Sequence, residues 1–459
     1  MNREARFLLI YGGRIIDPSQ GIDQVGDILI VEGSIAQAGS PITQRPSFSA
    51  MLGKAQQLDA TGLVVCPGFV DLHCHLREPG FEDKETIATG TKAAATGGFT
   101  TVCCMANTEP PLDTAAAIDQ MRQRIDKDSL VAVLPVGCVT KGRKGKELTV
   151  MAGLAEAGVI AFSDDGNPVA NPRLMRRALQ YSRDLGLPII DHCEDKALSD
   201  NGIINEGHIS AKLGLRGIPA AAEEVMVARD LILAKLTGAR LHIAHVSTKG
   251  SVELIRRAKE EGISVTAEVT PHHLTLTEES IIDEARNKSF DTNAKVNPPL
   301  RTEADIEALI KGLGNGVIDA IATDHAPHAV GDKSCDLKSA AFGISGFETA
   351  FGCLMGLVHQ GEISLVRLLS KLTCEPAKVI GREGELGTLK AGVLANVTIL
   401  DPDREWIVDS RDFASKGRNT PYDGYKFKGK VMATIASGKI VYLDGSLPSS
   451  ATSLERKRI

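Results

Sequence analysis

The segment GFVDLHCH (68–75) has the pattern of a buried β-strand that ends in two histidines. Seven more apolar segments of similar length follow it, at 100–107, 130–139, 158–165, 187–194, 239–247, 264–274 and 317–328. Helical patterns lie between them, such as PRLMRRALQYSRDLG (172–186), in which Gly186 would end the helix. Eight strands alternating with helices predict an α/β fold, a parallel (β/α)8 TIM barrel; counting alone leaves open a doubly wound open sheet.

Both ends of the chain instead show short strands separated by turns. At the N-terminal end these segments are FLLIYGGRIID (7–17) and GDILIVEGSIAQAG (26–39). The C-terminal end shows the same pattern in GTLKAGVLANVTILDPDREWIV (387–408) and KVMATIASGKIVYLDG (430–445). Neither end supplies enough strands for a stable sheet, so we expect the two termini to pair. The predicted domains are a composite β-sandwich domain, 1–65 plus 387–459, and a catalytic barrel, 66–386.

The composition is that of an ordinary globular protein. The 459 residues carry a net charge of −6, with 43% hydrophobic and 4% aromatic residues, which predicts an aliphatic core and no nucleic-acid partner. No run approaches the roughly 20 apolar residues that span a membrane, and Met1–Tyr11 lacks the pattern of a secretory signal. The nine cysteines are scattered without CxxC spacing, which favours reduced thiols and a cytoplasmic location.

Polar residues gather where the predicted strands end. His73 and His75 are two positions apart in a strand and should face the same side, whereas Cys74 should face the other. Four later strands also end in histidine or aspartate, at Asp164-Asp165, Asp191-His192, His245 and Asp324-His325. The carboxyl ends of barrel strands form the active face of this fold.

A shared metal explains this gathering better than separate structural roles do. Buried polar groups each need a partner, and one cation or a pair of cations satisfies several of them together. Imidazole and carboxylate suit zinc and its borderline neighbours, and the ligand set leaves room for a water molecule. The sequence therefore predicts a zinc-type centre at the mouth of the barrel.

These residues also carry a family resemblance that covers essentially the whole chain. The chain resembles the cyclic amidohydrolases, and specifically the class I dihydroorotases, whose fold is a (β/α)8 barrel with a composite β domain. The segments that resemble the family are PGFVDLHCHLREPG (67–80), MANTEPP (105–111), DHCED (191–195), HIAHVST (242–248), VNPPLR (296–301), ATDHAPHAVGDK (322–333) and GVLANVTILDP (392–402).

The resemblance implies a ligand set for one or two zinc ions. His73, His75 and Asp324 would bind the first ion, and His192 and His245 the second, with Asp165 as the bridge. Related hydantoinases, allantoinases and animal-type dihydroorotases place a carboxylated lysine at the bridge, but AFSDDGNP (161–168) contains no lysine. Asp164, the neighbour of Asp165, is the alternative bridging ligand.

The resemblance also implies a reaction and a substrate pocket. The enzyme would interconvert N-carbamoyl-L-aspartate with L-dihydroorotate and water in pyrimidine (UMP) biosynthesis, with Asp324 as the catalytic proton carrier. Arg77 has the planar fork that binds a carboxylate. The residues that would hold this small-molecule substrate are His75, Arg77, Asn107, Asn297, His328, and the backbone of Phe342 and Gly343.

Two other functions fit parts of the pattern. A hydantoinase or allantoinase would keep the chemistry, but the missing bridging lysine and the presence of Arg77 count against it. A non-catalytic dihydroorotase-like partner of aspartate carbamoyltransferase would lose metal ligands, and this chain keeps them all. An active enzyme can still form a homodimer or associate with that transferase.

The remaining polar features have structural interpretations. We expect supporting or packing roles for His272 and His273 and structural hydrogen bonding for His325, while His208, His242 and His359 have no cluster of candidate site residues around them in the sequence. The basic run from Lys141 to Lys146 is interpreted as a solvated loop. The segment 329–346 is a candidate lid over the substrate.

Overall fold

The computed structural model describes residues 7–42, 55–282 and 290–447. The outer ends of the predicted composite domain, 1–6 and 448–459, lie outside the described residues, as does part of its first segment, 43–54. Five strands open the chain: β1 (Phe7–Asp17), β2 (Ile22–Val31), β3 (Ser34–Ala38), β4 (Gln56–Asp59) and β5 (Val64–Pro67).

The eight predicted barrel strands all form, in the predicted order. They are β6 (Phe69–Cys74), β7 (Phe99–Cys104), β8 (Ala132–Gly137), β9 (Ala161–Phe162), β10 (Ile189–Asp191), β13 (Leu241–Ile243), β14 (Val265–Val269) and β15 (Ala320–Ile321). A separate parallel pair, β11 (Ile204–Asn205) and β12 (Gly217–Ile218), lies between β10 and β13 in the chain. Neighbouring barrel strands pair in parallel in chain order, so the open doubly wound alternative is wrong.

The first and last strands close the barrel through side-chain and backbone hydrogen bonds. The carboxylate of Asp71 accepts from the Thr323 amide at 2.7 Å and from the Thr323 hydroxyl at 2.9 Å. One step further along, the His75 amide donates to the His325 carbonyl at 2.9 Å. Because His75 and Asp324 sit beside this closure, it also sets the spacing of two predicted metal ligands.

The helices lie between and after the barrel strands. They are α1 (Ile87–Thr96), α2 (Ala115–Asp128), α3 (Met151–Glu156), α4 (Pro172–Asp184), α5 (Lys196–Ser199), α6 (His208–Leu213), α7 (Ala220–Thr237), α8 (Lys249–Glu260), α9 (Pro271–Thr275), α10 (Glu303–Asn315), α11 (Val330–Lys333), α12 (Phe347–His359), α13 (Leu365–Leu372) and α14 (Cys374–Val379). The start of α4 follows from Asn171, which caps the helix, and from Pro172 in its first turn. Gly186 follows the helix with a φ of +70°, as expected for a glycine that stops it.

The two termini pair as predicted. The C-terminal strands are β16 (Val397–Ile407), β17 (Lys426–Ala436) and β18 (Lys439–Leu443). They join the N-terminal strands in one eight-stranded sheet of order β18-β17-β16-β5-β1-β2-β3, with β4 beside β1. The junction is the antiparallel pairing of β5 with β16, for example Cys66 with Thr398.

Side chains of this terminal sheet also bind the barrel directly. The Thr398 hydroxyl donates to the Gly98 carbonyl at 2.7 Å, and the Thr434 hydroxyl donates to the Ala95 carbonyl at 2.6 Å. The acceptors lie at the end of α1 and in the turn that leads into β7. The exact domain boundaries at 65/66 and 386/387 stay a prediction.

The interior of the barrel is aliphatic, as the low aromatic content predicts. Its apolar cluster includes Val70, Leu72, Val136, Ile190 and Ala320, each from a different strand except the first two. All nine cysteines lie in the described part of the chain and are free thiols. Among the described residues, no helix has the length and apolar character needed to cross a membrane.

Candidate metal centre and substrate pocket

Two groups of buried ligands share Asp165. His73, His75 and Asp165 form the first group, and Asp165, His192 and His245 form the second. One Asp165 oxygen, Oδ1, lies 3.3 Å from His73 Nε2, 3.6 Å from His245 Nε2 and 3.7 Å from His192 Nδ1. The other oxygen, Oδ2, lies 3.6 Å from His75 Nε2. Asp165 is therefore between the two histidine pairs.

Asp324 completes the first group. Its Oδ1 atom lies 3.0 Å from His75 Nε2 and 3.7 Å from His73 Nε2. The residue has a left-handed φ of +45°, which is uncommon for a side chain other than glycine. His245, in the second group, also has a positive φ, of +31°. Backbone conformations of this kind are found at functional sites, where the surrounding structure holds them.

Three of the four histidines donate their other ring nitrogen to a fixed acceptor. His73 Nδ1 donates to Glu268 Oε1 at 2.9 Å. His75 Nδ1 donates to Asn107 Oδ1 at 3.0 Å. His192 Nε2 donates to Glu194 Oε2 at 3.0 Å. Each bond sets the tautomer, so that the nitrogen facing Asp165 carries a lone pair, as a metal ligand must.

The unpaired atoms of the centre fit a bound cation. Among the described residues, the buried atoms His73 Nε2 and Asp165 Oδ1 have no hydrogen-bond partner. His192 Nδ1 and His245 Nε2 are only 2.9 Å apart, so two imidazole acceptors face each other unless a proton or cation lies between them. A cation at each of the two groups would satisfy these four atoms, and the mixed imidazole and carboxylate set suits a divalent ion.

Electrostatics keep the acidic ligands ionised. Burial acts to raise the pKa of Asp165 and of Asp324, but the polar imidazole rings packed around the two carboxylates favour their ionised form and hold both pKa values below the usual range. Burial likewise opposes ionisation of Glu268, yet hydrogen bonds from His242 and His73 lower its pKa to about 2. The centre therefore presents carboxylates rather than neutral acids to an incoming cation.

The structure separates Asp164 from Asp165. Asp164 accepts from the amides of Val139 and Thr140 at 2.9 and 3.1 Å, and from the Thr140 hydroxyl. Burial raises its pKa to about 6, against the effect of these hydrogen bonds. Its carboxylate anchors the loop after β8, and Asp165 is the one that faces the histidines.

Arg77 and His328 lie side by side at the mouth of the barrel. Arg77 Nε donates to the Pro327 carbonyl at 3.2 Å, and Arg77 Nη2 lies 3.3 Å from His328 Nε2. His328 Nε2 donates to the Phe342 carbonyl at 2.8 Å. Burial and the charges of Arg77 and two lysines lower the pKa of His328 to about 3, so the ring is neutral near pH 7.

The other predicted pocket residues already have protein partners. Asn297 Nδ2 donates to Glu194 Oε2 at 3.0 Å, which links it to His192. The Gly343 amide donates to the Lys295 carbonyl at 3.0 Å. The structure thus brings Asn297 to the side of the second histidine pair, and Phe342 and Gly343 to the side of His328. Their contact with substrate stays a prediction.

Several structural interpretations agree with the contacts. Cys74 is buried and donates to the Cys103 carbonyl, away from the ligands. His325 stacks on Phe347, with ring centroids 4.1 Å apart. His273 donates to the Pro298 carbonyl at 3.0 Å.

Two features at the centre were not expected from the sequence. Glu268, in β14, hydrogen-bonds to both His73 and His242, so His242 helps to hold the glutamate that orients a candidate ligand. An acidic residue inside an otherwise apolar barrel strand is the signal that could have indicated it. Arg143, from the basic run interpreted as a solvated loop, donates to the Asp165 carbonyl.

The fold and this site together define a class of protein. A (β/α)8 barrel with a terminal sheet, and with two ligand groups joined by one carboxylate, is the architecture of a metal-dependent cyclic amidohydrolase. The comparisons with known proteins agree. A family model described as "Dihydro-orotase-like" matches residues 62–251.

Relatives match almost the entire chain. A dihydroorotase from Citrifermentans bemidjiense is 48% identical over 95% of this chain and 99% of the relative, and one from Thermoanaerobacter sp. is 51% identical over 95% and 97%. Among solved structures, the L-hydantoinase (dihydropyrimidinase) from Arthrobacter aurescens superposes with a TM-score of 0.84, at 27% identity, over 96% of this chain and 97% of that one. The chain belongs to the dihydroorotase family.

Glu268 offers a test of how the metal ligands are oriented. The change Glu268→Gln retains the size but weakens the acceptor for His73 Nδ1, so we expect the affinity for Zn²⁺ to fall about 10–100-fold. Competition with a chromogenic chelator measures that affinity. Glu348→Gln is the control, because Glu348 is a partly buried glutamate that binds the amides of Ala414 and Ser415 instead of a histidine. Equal zinc affinities in wild type and Glu268→Gln would contradict the orienting role.

Proposed function

We propose that the protein is a class I dihydroorotase, which interconverts N-carbamoyl-L-aspartate with L-dihydroorotate and water in pyrimidine biosynthesis. The observation that carries the proposal is the difference between the two kinds of relative. The proteins named dihydroorotase are 48% and 51% identical to this chain, whereas the hydantoinase structure is 27% identical. The aspartate at the shared ligand position supports the same choice.

The proposed cofactor is zinc, as one or two ions. His73, His75 and Asp324 would hold the first ion, His192 and His245 the second, and Asp165 would bridge them. When bound, such an ion supplies Lewis acidity that activates water and polarises the carbonyl under attack. The remaining steps belong to side chains of the protein.

Asp324 is the proposed proton carrier. Its carboxylate is held ionised at the edge of the ligand cluster, where it can accept the proton of the attacking water. In ring opening it would deliver that proton to the departing ring nitrogen as the amide C–N bond breaks, and in ring closure the transfer runs in reverse. His75 Nε2 lies 3.0 Å from Asp324 Oδ1, so the carboxylate stands directly beside the first group of candidate ligands.

The pocket beside this centre suits an anionic ring. Arg77 uses Nε to bind the Pro327 carbonyl, which fixes the plane of the guanidinium at the mouth. Its terminal N–H groups and the amide of Asn107 would bind the substrate carboxylate. Asn297, His328 and the backbone at Phe342 and Gly343 would border the ring, while His75 would contact it from the metal side.

A substrate panel tests the proposed function. We expect the zinc-loaded protein to hydrolyse dihydroorotate and to form it from N-carbamoyl-L-aspartate, with much slower turnover of dihydrouracil, hydantoin and allantoin. Preference for hydantoin or allantoin would assign the chain to the alternative amidohydrolase function. Absence of both metal and turnover would instead fit the non-catalytic partner of aspartate carbamoyltransferase. A cytoplasmic location, a homodimer and association with that transferase stay predictions.

Asp324→Ala tests the proton carrier. We expect kcat to fall by about 10²–10⁴-fold, the typical contribution of a positioned acid or base, while most of the zinc is retained by the other ligands. Steady-state kinetics and elemental analysis of the same sample measure both quantities. Retained turnover would rule out Asp324 as the proton carrier. Complete loss of zinc would show that the loss of activity reflects metal binding by Asp324 and not proton transfer.

Arg77→Lys tests the carboxylate clamp. The lysine keeps the charge but lacks the planar fork, so we expect KM for dihydroorotate to rise at least about tenfold with a smaller change in kcat. Arg14→Lys is the matched control, since the planar fork of Arg14 pairs with Asp23 in the terminal sheet, so the change should leave KM unchanged. An unchanged KM in Arg77→Lys would show that the guanidinium does not bind the substrate carboxylate.

A further inference from the structure

A buried asparagine from the terminal sheet reaches the mouth of the barrel. Asn419 lies in the connection between β16 and β17 and is 3% exposed. Its Nδ2 group donates to the carbonyls of Ala326 and Gly343, each at 3.0 Å. Its Oδ1 atom accepts from the His328 amide at 3.0 Å and from the Ser345 hydroxyl at 2.8 Å. One side chain thus makes four hydrogen bonds to two separate segments.

These two segments have little direct pairing of their own. Between 325–328 and 342–345, the backbone forms an isolated bridge, His325 with Ile344, and the Ala326 amide donates to the Ile344 carbonyl at 2.8 Å. Asn419 adds a backbone bond, since its carbonyl accepts from the Ser345 amide at 2.8 Å. The hydrogen bonds of Asn419 therefore hold the two segments together where a longer β-ladder between them is missing.

The segments held by Asn419 contact the side chains of the predicted substrate pocket. Pro327 supplies the carbonyl that fixes Arg77, and His328 supplies the ring beside the guanidinium. Phe342 supplies the carbonyl that orients His328. A shift of either segment would therefore displace the groups that hold the guanidinium of Arg77.

Close packing leaves this wall little freedom to adjust. Gly343 has a φ of +138°, and a Cβ there would lie 2.7 Å from both the Cβ and the carbonyl oxygen of Ala326. A Cβ at Gly417, two residues before Asn419, would collide with the Ser345 hydroxyl and lie 2.5 Å from Pro327 Cβ. Backbone approaches this close fix the relative positions of the three segments.

We propose that Asn419 is a positioning residue for substrate binding: it holds the 326–328 and 342–345 segments so that Arg77 and His328 face the substrate carboxylate. The proposal rests on the proposed dihydroorotase function. It gives the terminal sheet a direct part in the pocket, because the residue that sets the substrate wall comes from a connection between two of its strands. Asn419 itself touches no metal ligand among the contacts of its side chain.

Asn419→Asp is the decisive variant. The carboxylate has the same shape and still accepts from the His328 amide and Ser345, but it replaces the two N–H donors with an oxygen that repels the carbonyls of Ala326 and Gly343. Two buried acceptors would then lack their donors. We expect KM for dihydroorotate to rise at least about tenfold, with kcat within about threefold and zinc content equal to wild type, because the change disturbs the segments around Arg77 and His328 and removes no candidate metal ligand.

Two further variants make the result specific. Asn396→Asp is the matched control: Asn396 is another buried asparagine of the terminal sheet, but its Oδ1 accepts from the Ser437 amide at 2.9 Å, far from the mouth. We expect its KM to equal that of wild type. Ser345→Ala removes one hydrogen bond to Asn419 and should raise KM by about two- to fivefold, so it tests the proposal even where Asn419→Asp does not fold.

Each outcome has a distinct meaning when KM, kcat, zinc content and melting temperature are measured together. A selective rise in KM for Asn419→Asp and Ser345→Ala, with Asn396→Asp unchanged, supports the positioning role. An unchanged KM, or a parallel loss of kcat and zinc, overturns it, the latter by showing a general structural role. Absence of dihydroorotate turnover in the wild type, with zinc bound, would instead reject the proposed function.

Discussion

The structure depends on a concentration of buried charge at the carboxyl ends of the barrel strands. Asp165 lies within 3.3–3.7 Å of ring nitrogens from four histidines, with Asp324 beside them, in a region almost closed to water. Such groups are costly to bury unless they share a cation or exchange hydrogen bonds. The barrel compensates this cost in two ways. A divalent ion fits among the ring nitrogens that face Asp165, and Glu268, Asn107 and Glu194 accept hydrogen bonds from the other ring nitrogens of His73, His75 and His192. The same strands therefore combine apolar residues that fill the barrel with polar residues at their carboxyl ends.

The pattern of the sequence was sufficient to predict the barrel, because each strand is an apolar run that ends at a turn or at a polar residue. The predicted segments 158–165 and 317–328 are nevertheless far longer than β9 and β15, which have two residues each. Strand length depends on pairing with both neighbours, and no single segment contains that information. The pairing of β5 with β16 was predictable in kind, since neither terminus has enough strands alone, but its register was not.

The candidate ligands could be predicted from the sequence, whereas the residues that hydrogen-bond to them could not. His73, His75, Asp165 and Asp324 end strands, and a parallel barrel brings all strand ends to one face. Glu268 and Glu194 act through the far nitrogen of a ring, so their positions follow from side-chain directions in three dimensions and from no spacing along the chain. The choice of Asp165 over Asp164 likewise depends on the loop after β8, whose amides bind Asp164. Residue types at strand ends identify the chemistry, and the surrounding hydrogen bonds decide which residue performs it.

The short side chain of Asp165 and the net charge of the chain can both be understood from local geometry. An aspartate has less reach than a carboxylated lysine, yet Asp165 needs little reach, because the four ring nitrogens converge to within 4 Å of its two oxygens. The net charge of −6 is likewise no obstacle to an anionic ligand. Arg77 stands at the mouth with its guanidinium fixed by the Pro327 carbonyl, and a bound divalent ion would add positive charge next to it. The potential at the pocket is therefore set by a few fixed groups within a few ångströms, and the overall charge of the protein has little influence on what binds there.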